Sequence, residues 1–243
     1  MKTLILLFSL TFTISYSQKL YDFDYIMEYD AMIRYEKPVK IRKQGYKVSE
    51  RNVKGYFLIN SKQNEYYAVI TEEDSLNYNL VFQDHKRKLI SKAVVLKSNL
   101  NDADLINMNC RDIRGLADPL SINHLKKDDF DLVKLKDTLI NNVSFNHYKY
   151  SYSNSKKRKR KKIGTTYLII DKSSNFNLPL FRNLNLYEKW ILNKKTPMGL
   201  IKEIYYTDYF GKLRYTEKLI DFIKTGKKIY IPKSCGLTEI IIE

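Results

Sequence analysis

Residues 21–35 read YDFDYIMEYDAMIRY, with an apolar or aromatic side chain at every odd position. The residues between them are mostly charged, and the pattern breaks only at Ile26 and Met32. Because successive side chains of a β-strand point to opposite faces, this period of two predicts one strand with one buried face. A strand over 21–35 is longer than usual, so we expect it to bend.

The aromatic side of this strand has two interpretations. It forms ordinary sheet core, or it lines an apolar cavity that holds a ligand. Buried tyrosine hydroxyls need hydrogen-bond partners, and a concave face holding water or an amphiphile would supply them. The candidate ligand-binding residues are those on the apolar face, namely Tyr21, Phe23, Tyr25, Met27 and Tyr29.

The rest of the chain also predicts mainly β-structure. A polar stretch over 37–52 is predicted to be a loop, and the residues after it predict two hairpins. The hairpin strands are 53–60, 65–72, 78–83 and 89–97. Later strands are predicted at 129–136, 144–152, 163–171, 200–208, 213–223 and 229–232. Helices are predicted at 119–126, which starts at Pro119, and at 184–194, where Asn183 is the N-cap.

The N-terminus has the pattern of a secretory signal. Lys2 precedes an apolar run over 4–14, and the small residues Ser15 and Ser17 mark a cleavage site. We therefore expect a signal peptide over 1–17 and a single β-rich domain over 18–243. No later stretch is apolar enough to span a bilayer. Because of the signal, we predict that the mature chain is exported, either periplasmic or secreted.

The chain carries a formal net charge of +16, which indicates an anionic environment. Seven consecutive cations lie between two predicted strands: Lys156, Lys157, Arg158, Lys159, Arg160, Lys161 and Lys162. Export argues against nucleic acid as the partner. The run is therefore either a solvated hairpin tip or an anion-binding site for anionic lipid or glycan.

The sequence contains only two cysteines, Cys110 and Cys235. In an exported protein they form a disulfide or remain as two buried thiols, and the sequence alone leaves both open. With only these cysteines and three scattered histidines, His85, His124 and His147, no metal site is expected.

No catalytic motif is present. We find no nucleophile elbow, phosphate-binding glycine loop, His-Glu-x-x-His helix or paired cysteines. Asp128, Asp129 and Asp131 are interpreted as turn formers, and His147 as a sheet residue. These observations favour a protein that is not an enzyme and has no cofactor, although a carboxylate-pair hydrolase leaves no local signature.

Three segments resemble uncharacterised exported β-rich proteins of flavobacteria-type bacteria. They begin with YFLINSKQNEYY at 56–67, KDTLINNVSFNHYKY at 136–150 and PMGLIKEIYYTDYF at 197–210. The last is also similar to the lipoprotein-carrier (LolA-like) half-barrel and to the GLPGLI proteins, although only Gly199, Leu200 and Ile201 match that six-residue signature. The resemblance implies a strongly curved antiparallel sheet, a half-barrel, with short helices on its concave side.

These observations predict a noncatalytic binding protein of the bacterial cell envelope. Its ligand would be amphiphilic or anionic: a lipid, lipoprotein or glycan. Two other classes remain open, a secreted hydrolase of unrecognised type and a structural or secretion-associated protein that binds other envelope proteins. A deep apolar cavity would favour the first class, a facing carboxylate pair the second, and a flat apolar patch the third.

Overall fold

The structure is a computed structural model that describes residues 19–38, 46–116, 129–171, 173–174, 176, 180–193, 199–232 and 235. Two sequence predictions, the signal peptide over 1–17 and the helix over 119–126, lie outside the described residues.

Strands make up most of the described chain. The first eight are β1 (Lys19–Asp22), β2 (Tyr25–Pro38), β3 (Tyr46–Asn60), β4 (Gln63–Glu72), β5 (Asn77–Asp84), β6 (Leu89–Leu96), β7 (Leu105–Asn107) and β8 (Ile113–Gly115). The others are β9 (Phe130–Lys134), β10 (Thr138–Ile140), β11 (Val143–Tyr152), β12 (Thr165–Asp171), β13 (Leu200–Thr207), β14 (Leu213–Lys224) and β15 (Lys228–Ile231).

The helices of the described residues are short. They are α1 (Lys97–Asp102), a 3-10 turn (Cys110–Asp112), α2 (Ser155–Lys161) and α3 (Leu184–Asn193). The predicted helix at 184–194 is thus confirmed over its described part. Asn183 caps it as predicted, since its Oδ1 accepts hydrogen bonds from the backbone N–H groups of Asn185 at 2.9 Å and Leu186 at 3.2 Å.

Most strands join one large antiparallel sheet with the order β10-β11-β12-β13-β14-β2-β3-β4-β5-β6-β8, and β9 also pairs with β11. In the described part of the chain this main sheet is open at both ends, and its ladders contain several register shifts. Such bulges bend a sheet. The predicted fold class, mainly β with a strongly curved antiparallel sheet and short helices, is confirmed.

A second sheet of three strands, β1-β15-β7, packs on one face of the main sheet. We call this side the β15 face. Its core cluster includes Leu58, Leu80 and Ile229. The opposite side is the α3 face, where α3 and the residues before it contact the strands. Phe57 belongs to the α3 face and its neighbour Leu58 to the β15 face, as alternation along a strand requires.

The prediction of one strand over 21–35 is wrong, because the chain passes from one sheet to the other after Asp22. Tyr21 and Phe23 are buried on the β15 face, whereas Met27 and Tyr29 are buried on the α3 face. The odd-numbered side chains therefore lie on both sides of the main sheet. Both halves have an apolar odd face, so the sequence pattern runs through the switch without a break.

Asp24 lies at this switch. Its backbone N–H donates to the carbonyl of Ile59 at 3.0 Å, and its Oδ1 accepts from the backbone N–H of Ser61 at 2.7 Å. These bonds hold the chain between β1 and β2 against the β3–β4 turn.

The predicted loop over 37–52 is wrong at both ends, since β2 continues to Pro38 and β3 begins at Tyr46. The two strands extend beyond the core as a paired ribbon, in which Arg34 Nε donates to Glu50 Oε1 at 2.6 Å. The apolar side chains Ile33 and Tyr35 are exposed there. Glu50, Arg51 and Asn52 are exposed, so this part of β3 has no apolar alternation that would predict a strand.

The hairpin β3–β4 and the hairpin β5–β6 are confirmed as parts of a meander. The basic stretch between β11 and β12 is helical, since residues 156–161 lie in α2, whose N-cap is Asn154. The last strand, β15, pairs with β1 and β7. Thr225 and Lys227 bond to the β1–β2 switch and lead the chain to the small sheet.

Cys110 and Cys235 form a disulfide with a Cα–Cα distance of 4.6 Å. Cys110 lies in the 3-10 turn after β7, and Cys235 follows β15. Because β7 and β15 are neighbouring parallel strands, their following residues lie at the same end of the small sheet. The disulfide therefore cross-links the segments that follow β7 and β15 at that end of the small sheet.

Candidate functional site

A cavity of about 400 Å³ lies on the α3 face. This volume is within the range of about 300 to 1,000 Å³ that is usual for ligand sites. Most of its lining residues are apolar: Leu116, Leu168, Leu180, Phe181, Leu184, Leu186, Ile201 and Ile204. The polar lining residues are Gln83, Thr166, Arg182 and Asn183. Such a lining suits an apolar or amphiphilic molecule.

One wall of the cavity is the main sheet. Thr166 and Leu168 are alternate residues of β12, and Leu168 pairs with Ile204 of β13. Alternation along β12 and direct pairing across β13 place these side chains on one face. Ile201 joins them after a register shift in the β12–β13 ladder.

The opposite wall is the segment 180–187, which we call the cover. It contains the residues before α3 and the first turn of the helix. Phe181 is buried in the same cluster as Leu168, and Tyr187 is buried with them. Apolar contacts therefore seat the cover on the sheet, and polar contacts at three points fix its position.

The first polar contact is an ion pair across the cavity edge. Arg182 Nη1 donates to Glu217 Oε1 at 2.6 Å, and the Tyr215 hydroxyl donates to Glu217 Oε2 at 2.7 Å. Glu217, on β14, is 3% exposed. The guanidinium also lies 4.7 Å from the centre of the Phe57 ring. The buried carboxylate thus holds the cover through Arg182.

The second polar contact is the hydroxyl of Tyr67. It lies 2.9 Å from Gln83 Oε1 and 3.1 Å from the carbonyl oxygen of Arg182, and its one hydrogen is shared between these acceptors. Burial raises the pKa of Tyr67 above its usual value, so the hydroxyl stays protonated and remains a donor.

The third polar contact is His85, which follows β5. Its Nε2 lies 2.9 Å from the carbonyl oxygen of Phe181, so Nε2 carries the hydrogen and donates. Its ring stacks on Tyr187 at 4.9 Å. Nδ1 is buried without a hydrogen-bond partner among the described residues. A second proton on this ring would therefore be a buried charge with one unpaired N–H.

This arrangement predicts a pH dependence of stability. Burial lowers the pKa of His85 below 6.5, although the hydrogen bond with the Phe181 carbonyl and the charges of Asp84 and Glu188 oppose the shift. Because the unfolded chain takes up this proton more readily, the His85 contribution is complete above pH 6.5. It is lost as the pH falls from there through the folded pKa. Urea unfolding between about pH 8 and about pH 5 measures it.

The matched variants are His85→Gln and His147→Gln. Glutamine at position 85 keeps an amide donor for the Phe181 carbonyl without titrating. We expect H85Q to lose less stability than the wild type on acidification. H147Q controls for a half-buried histidine whose pKa burial also lowers. Equal acid sensitivity of H85Q and the wild type would contradict this assignment.

None of the five predicted ligand-binding residues is among the residues that line the cavity. Tyr21 and Phe23 pack beneath the small sheet, while Tyr25, Met27 and Tyr29 pack beside the cavity on the α3 face. Two of the three tyrosine hydroxyls have protein partners. Tyr21 donates to Asp84 Oδ2 and Tyr29 to the carbonyl of Ile201, both at 2.8 Å. Ordinary packing thus accounts for their burial.

Six of the seven predicted anion-binding residues lie in α2, and the seventh, Lys162, is its C-cap. Lys157 and Arg158 contact the sheet, and the other five side chains are exposed: Lys156, Lys159, Arg160, Lys161 and Lys162. A surface pocket of about 250 Å³ is lined by Asn154, Lys156, Lys157 and Arg160. The structure therefore gathers part of the run into one concave, positively charged surface.

Sequence reasoning missed the residues that line the cavity. Leu168 and Ile204 were recognised as strand residues, but nothing local distinguishes a strand side chain facing a void from one facing a packed core. Arg182 and Glu217 are 35 positions apart. The one available signal was Glu217, an acidic residue at a strand position whose alternation with Leu219 predicts burial. A buried carboxylate predicts a cation opposite it.

Within the described residues, no group of three or more His, Cys, Asp or Glu side chains is placed to hold a metal ion. The helices described above are also too short or too polar to cross a membrane.

No protein-family model and no curated protein matches the chain. Among solved structures, it is similar to a putative outer membrane lipoprotein-sorting protein domain from Vibrio parahaemolyticus, with 9% identity, 83% of this chain and 85% of that chain covered, and a TM-score of 0.29. It is similar to a DUF1329 family protein from Desulfovibrio piger, with 9% identity, 86% and 87% covered, and a TM-score of 0.28.

A third similar structure is a LolA superfamily protein from Nitrosomonas europaea, with 12% identity, 81% and 84% covered, and a TM-score of 0.27. At these identities and TM-scores the likenesses carry no argument.

Proposed function

We propose that this protein is a noncatalytic binding protein that holds an amphiphile in the cavity beneath the cover. The observation that carries the proposal is the lining, where apolar side chains of β12, β13 and the cover surround about 400 Å³. Arg182 and Asn183 are the polar lining residues of the cover. An acyl chain would occupy the apolar part, and a polar head would lie near these residues.

The same proposal places the protein outside the cytoplasm. The signal-like residues 1–17 support export to the periplasm or beyond. An amphiphile of the cell envelope, such as a lipid or the acyl chain of a lipoprotein, then meets the protein where it resides. A disulfide between Cys110 and Cys235 suits such a compartment.

A hydrolase would make a different demand on this site. Carboxylate-pair hydrolysis needs two acidic side chains about 5 to 10 Å apart that face the substrate. Among the described residues that line the cavity none is acidic. Glu217, at its edge, is bonded to Arg182 and Tyr215. The site is therefore better suited to holding a molecule than to cleaving it.

Filling the cavity should weaken binding. In Ile204→Trp a larger ring occupies space between β13 and the cover. Each buried methylene contributes about 0.8 kcal/mol, so excluding two or more should lower affinity by about tenfold. The measurement is fluorescence titration with cis-parinaric acid, followed by displacement with palmitate.

Ile220→Trp is the matched control, because Ile220 is an exposed residue of β14 outside the cavity lining. I220W should bind the probe like the wild type. Thermal melting of each variant separates blocked binding from unfolding. If the folded I204W and I220W variants bind parinaric acid equally well, or if the wild type does not bind it, the proposed site is refuted.

A further inference from the structure

The basic helix α2 lies next to an exposed aromatic turn at one end of the main sheet. It connects the end of β11 to the start of β12, and Thr165 of β12 pairs with Thr207, the last residue of β13. The β13–β14 turn therefore lies at the same end. Lys162 Nζ is 5.9 Å from the centre of the Phe210 ring in this turn. The two elements form one continuous surface.

Two of the seven cations attach α2 to the sheet. Arg158 Nε donates to the carbonyl of Ile163 at 3.2 Å, and its Nη2 donates to Thr165 Oγ1 at 2.8 Å. Lys157 Nζ lies 3.4 Å from Asp129 Oδ2. These contacts fix the orientation of the helix, so its other cations are presented to solvent in a defined array.

Two described acidic residues near this surface already have cationic partners. Asp129 is paired with Lys157, and Asp208 with Arg214 at 2.7 Å. In contrast, three exposed cations of α2 have no ion-pair partner in the described part of the chain: Lys156, Lys159 and Arg160. The surface thus keeps an unbalanced positive charge.

Two exposed cations of α2 repel each other. Lys156 and Arg160 are four positions apart, so their charges lie on one side of the helix. Both side chains line the 250 Å³ pocket. An anionic group at this pocket would relieve the repulsion.

Phe210 adds an apolar element. Its ring is 68% exposed, and Tyr209 packs edge-on against it at 5.4 Å. An exposed aromatic ring beside several cations matches the chemistry of a bilayer interface, where the ring enters the acyl boundary and the cations meet headgroups. An acidic polysaccharide would satisfy the cations, but it has no acyl layer into which the ring could insert.

We propose that α2 and the turn 208–212 dock the protein on an anionic lipid bilayer, with Phe210 in the interface and Lys156, Lys159 and Arg160 on the headgroups. We call this surface the basic tip. The basic tip shares no residue with the lining of the cavity beneath the cover.

The test is sedimentation of the full chain with vesicles of phosphatidylcholine alone, or with about a third phosphatidylglycerol. The wild type should bind only the anionic vesicles, and binding should fall as salt rises. The variant K156S/K159S/R160S should bind them roughly a hundredfold more weakly, because each cation at an anionic surface contributes about fivefold. Phe210→Ser should weaken binding about tenfold through lost apolar burial.

A matched control removes the same charges elsewhere. K62S/R111S/K92S changes two lysines and one arginine that are exposed and outside the basic tip. This control removes the same number of positive charges from the protein as the basic-tip variant. Its affinity for anionic vesicles should stay within about twofold of that of the wild type. The parinaric acid titration should be unchanged in every variant, so a failure of the cavity proposal is distinguishable from a failure here.

Three results would overturn the proposal: equal binding by the basic-tip and control triple variants, unchanged binding by F210S, or equal binding to neutral and anionic vesicles. Retention on an alginate resin without vesicle binding would assign the surface to a glycan instead. Circular dichroism of each variant establishes that it is folded, and the altered side chains are exposed.

Discussion

The variant Arg182→Met should lower the free energy of unfolding by about 3 to 5 kcal/mol, because it leaves the buried Glu217 carboxylate without its cation. Glu217 is 3% exposed, and its bonding partners among the described residues are Arg182 and the Tyr215 hydroxyl. Methionine retains much of the apolar volume against Phe57. The loss therefore reports the unpaired charge more than lost packing.

A second substitution separates these contributions. In the double variant R182M/E217Q no buried charge remains, so its stability should lie well above that of R182M. Urea unfolding of the wild type, the two single variants and the double variant gives the coupling energy between positions 182 and 217. A coupling energy near zero would contradict the assigned role of the pair.

Arg34→Met is the matched control for arginine removal. Its ion pair with Glu50 at 2.6 Å is exposed on both sides. Water already solvates both groups there, so the variant should lose less than about 1 kcal/mol. If R34M and R182M lose similar stability, burial of Glu217 does not determine the effect.

The sequence predicts the strands of the meander and helix α3 well, because their signals are local. In β3 to β6 the apolar periods are bounded by turn residues, and Asn183 precedes an amphipathic run. The switch between β1 and β2 has no such signal. Tyr21 and Tyr29 both occupy odd positions, and only their partner strands determine which side of the main sheet receives each ring.

The prediction also failed at the ribbon β2–β3, because the end of the ribbon lacks a side-chain pattern. Beyond Ala31 and Val53 the strands leave the covered part of the sheet, and their pairing rests on backbone hydrogen bonds and exposed contacts such as Arg34 with Glu50. Side-chain periodicity reports burial, not backbone pairing. The exposed residues Glu50, Arg51 and Asn52 of β3 therefore carry no pattern that would predict a strand.

The candidate site was the least predictable feature. Its walls come from β12, β13 and the cover, and its edge contact joins Arg182 to Glu217. Each residue has an ordinary local context. The basic run was conspicuous in the sequence. Only the contacts of α2 with the sheet show that Lys157 and Arg158 hold the helix in place, while other cations of the run are exposed.

The disulfide gives the second large effect. Cys110→Ser/Cys235→Ser should lower the free energy of unfolding by roughly 4 to 5 kcal/mol. The bond joins positions 125 residues apart, so its removal restores much conformational freedom to the unfolded chain. Urea unfolding of the oxidised wild type and of the double variant measures the difference.

Reductant supplies the internal control for this prediction. Dithiothreitol should lower wild-type stability to about that of the double variant and leave the double variant unchanged, because serine differs little from the thiol in size. Equal unfolding midpoints for oxidised and reduced wild type would show that the bond does not restrain the unfolded chain.

The location of the disulfide also predicts that ligand binding should not change. It closes the small sheet on the β15 face, whereas the cavity lies on the α3 face, so the folded double variant should still bind parinaric acid like the wild type.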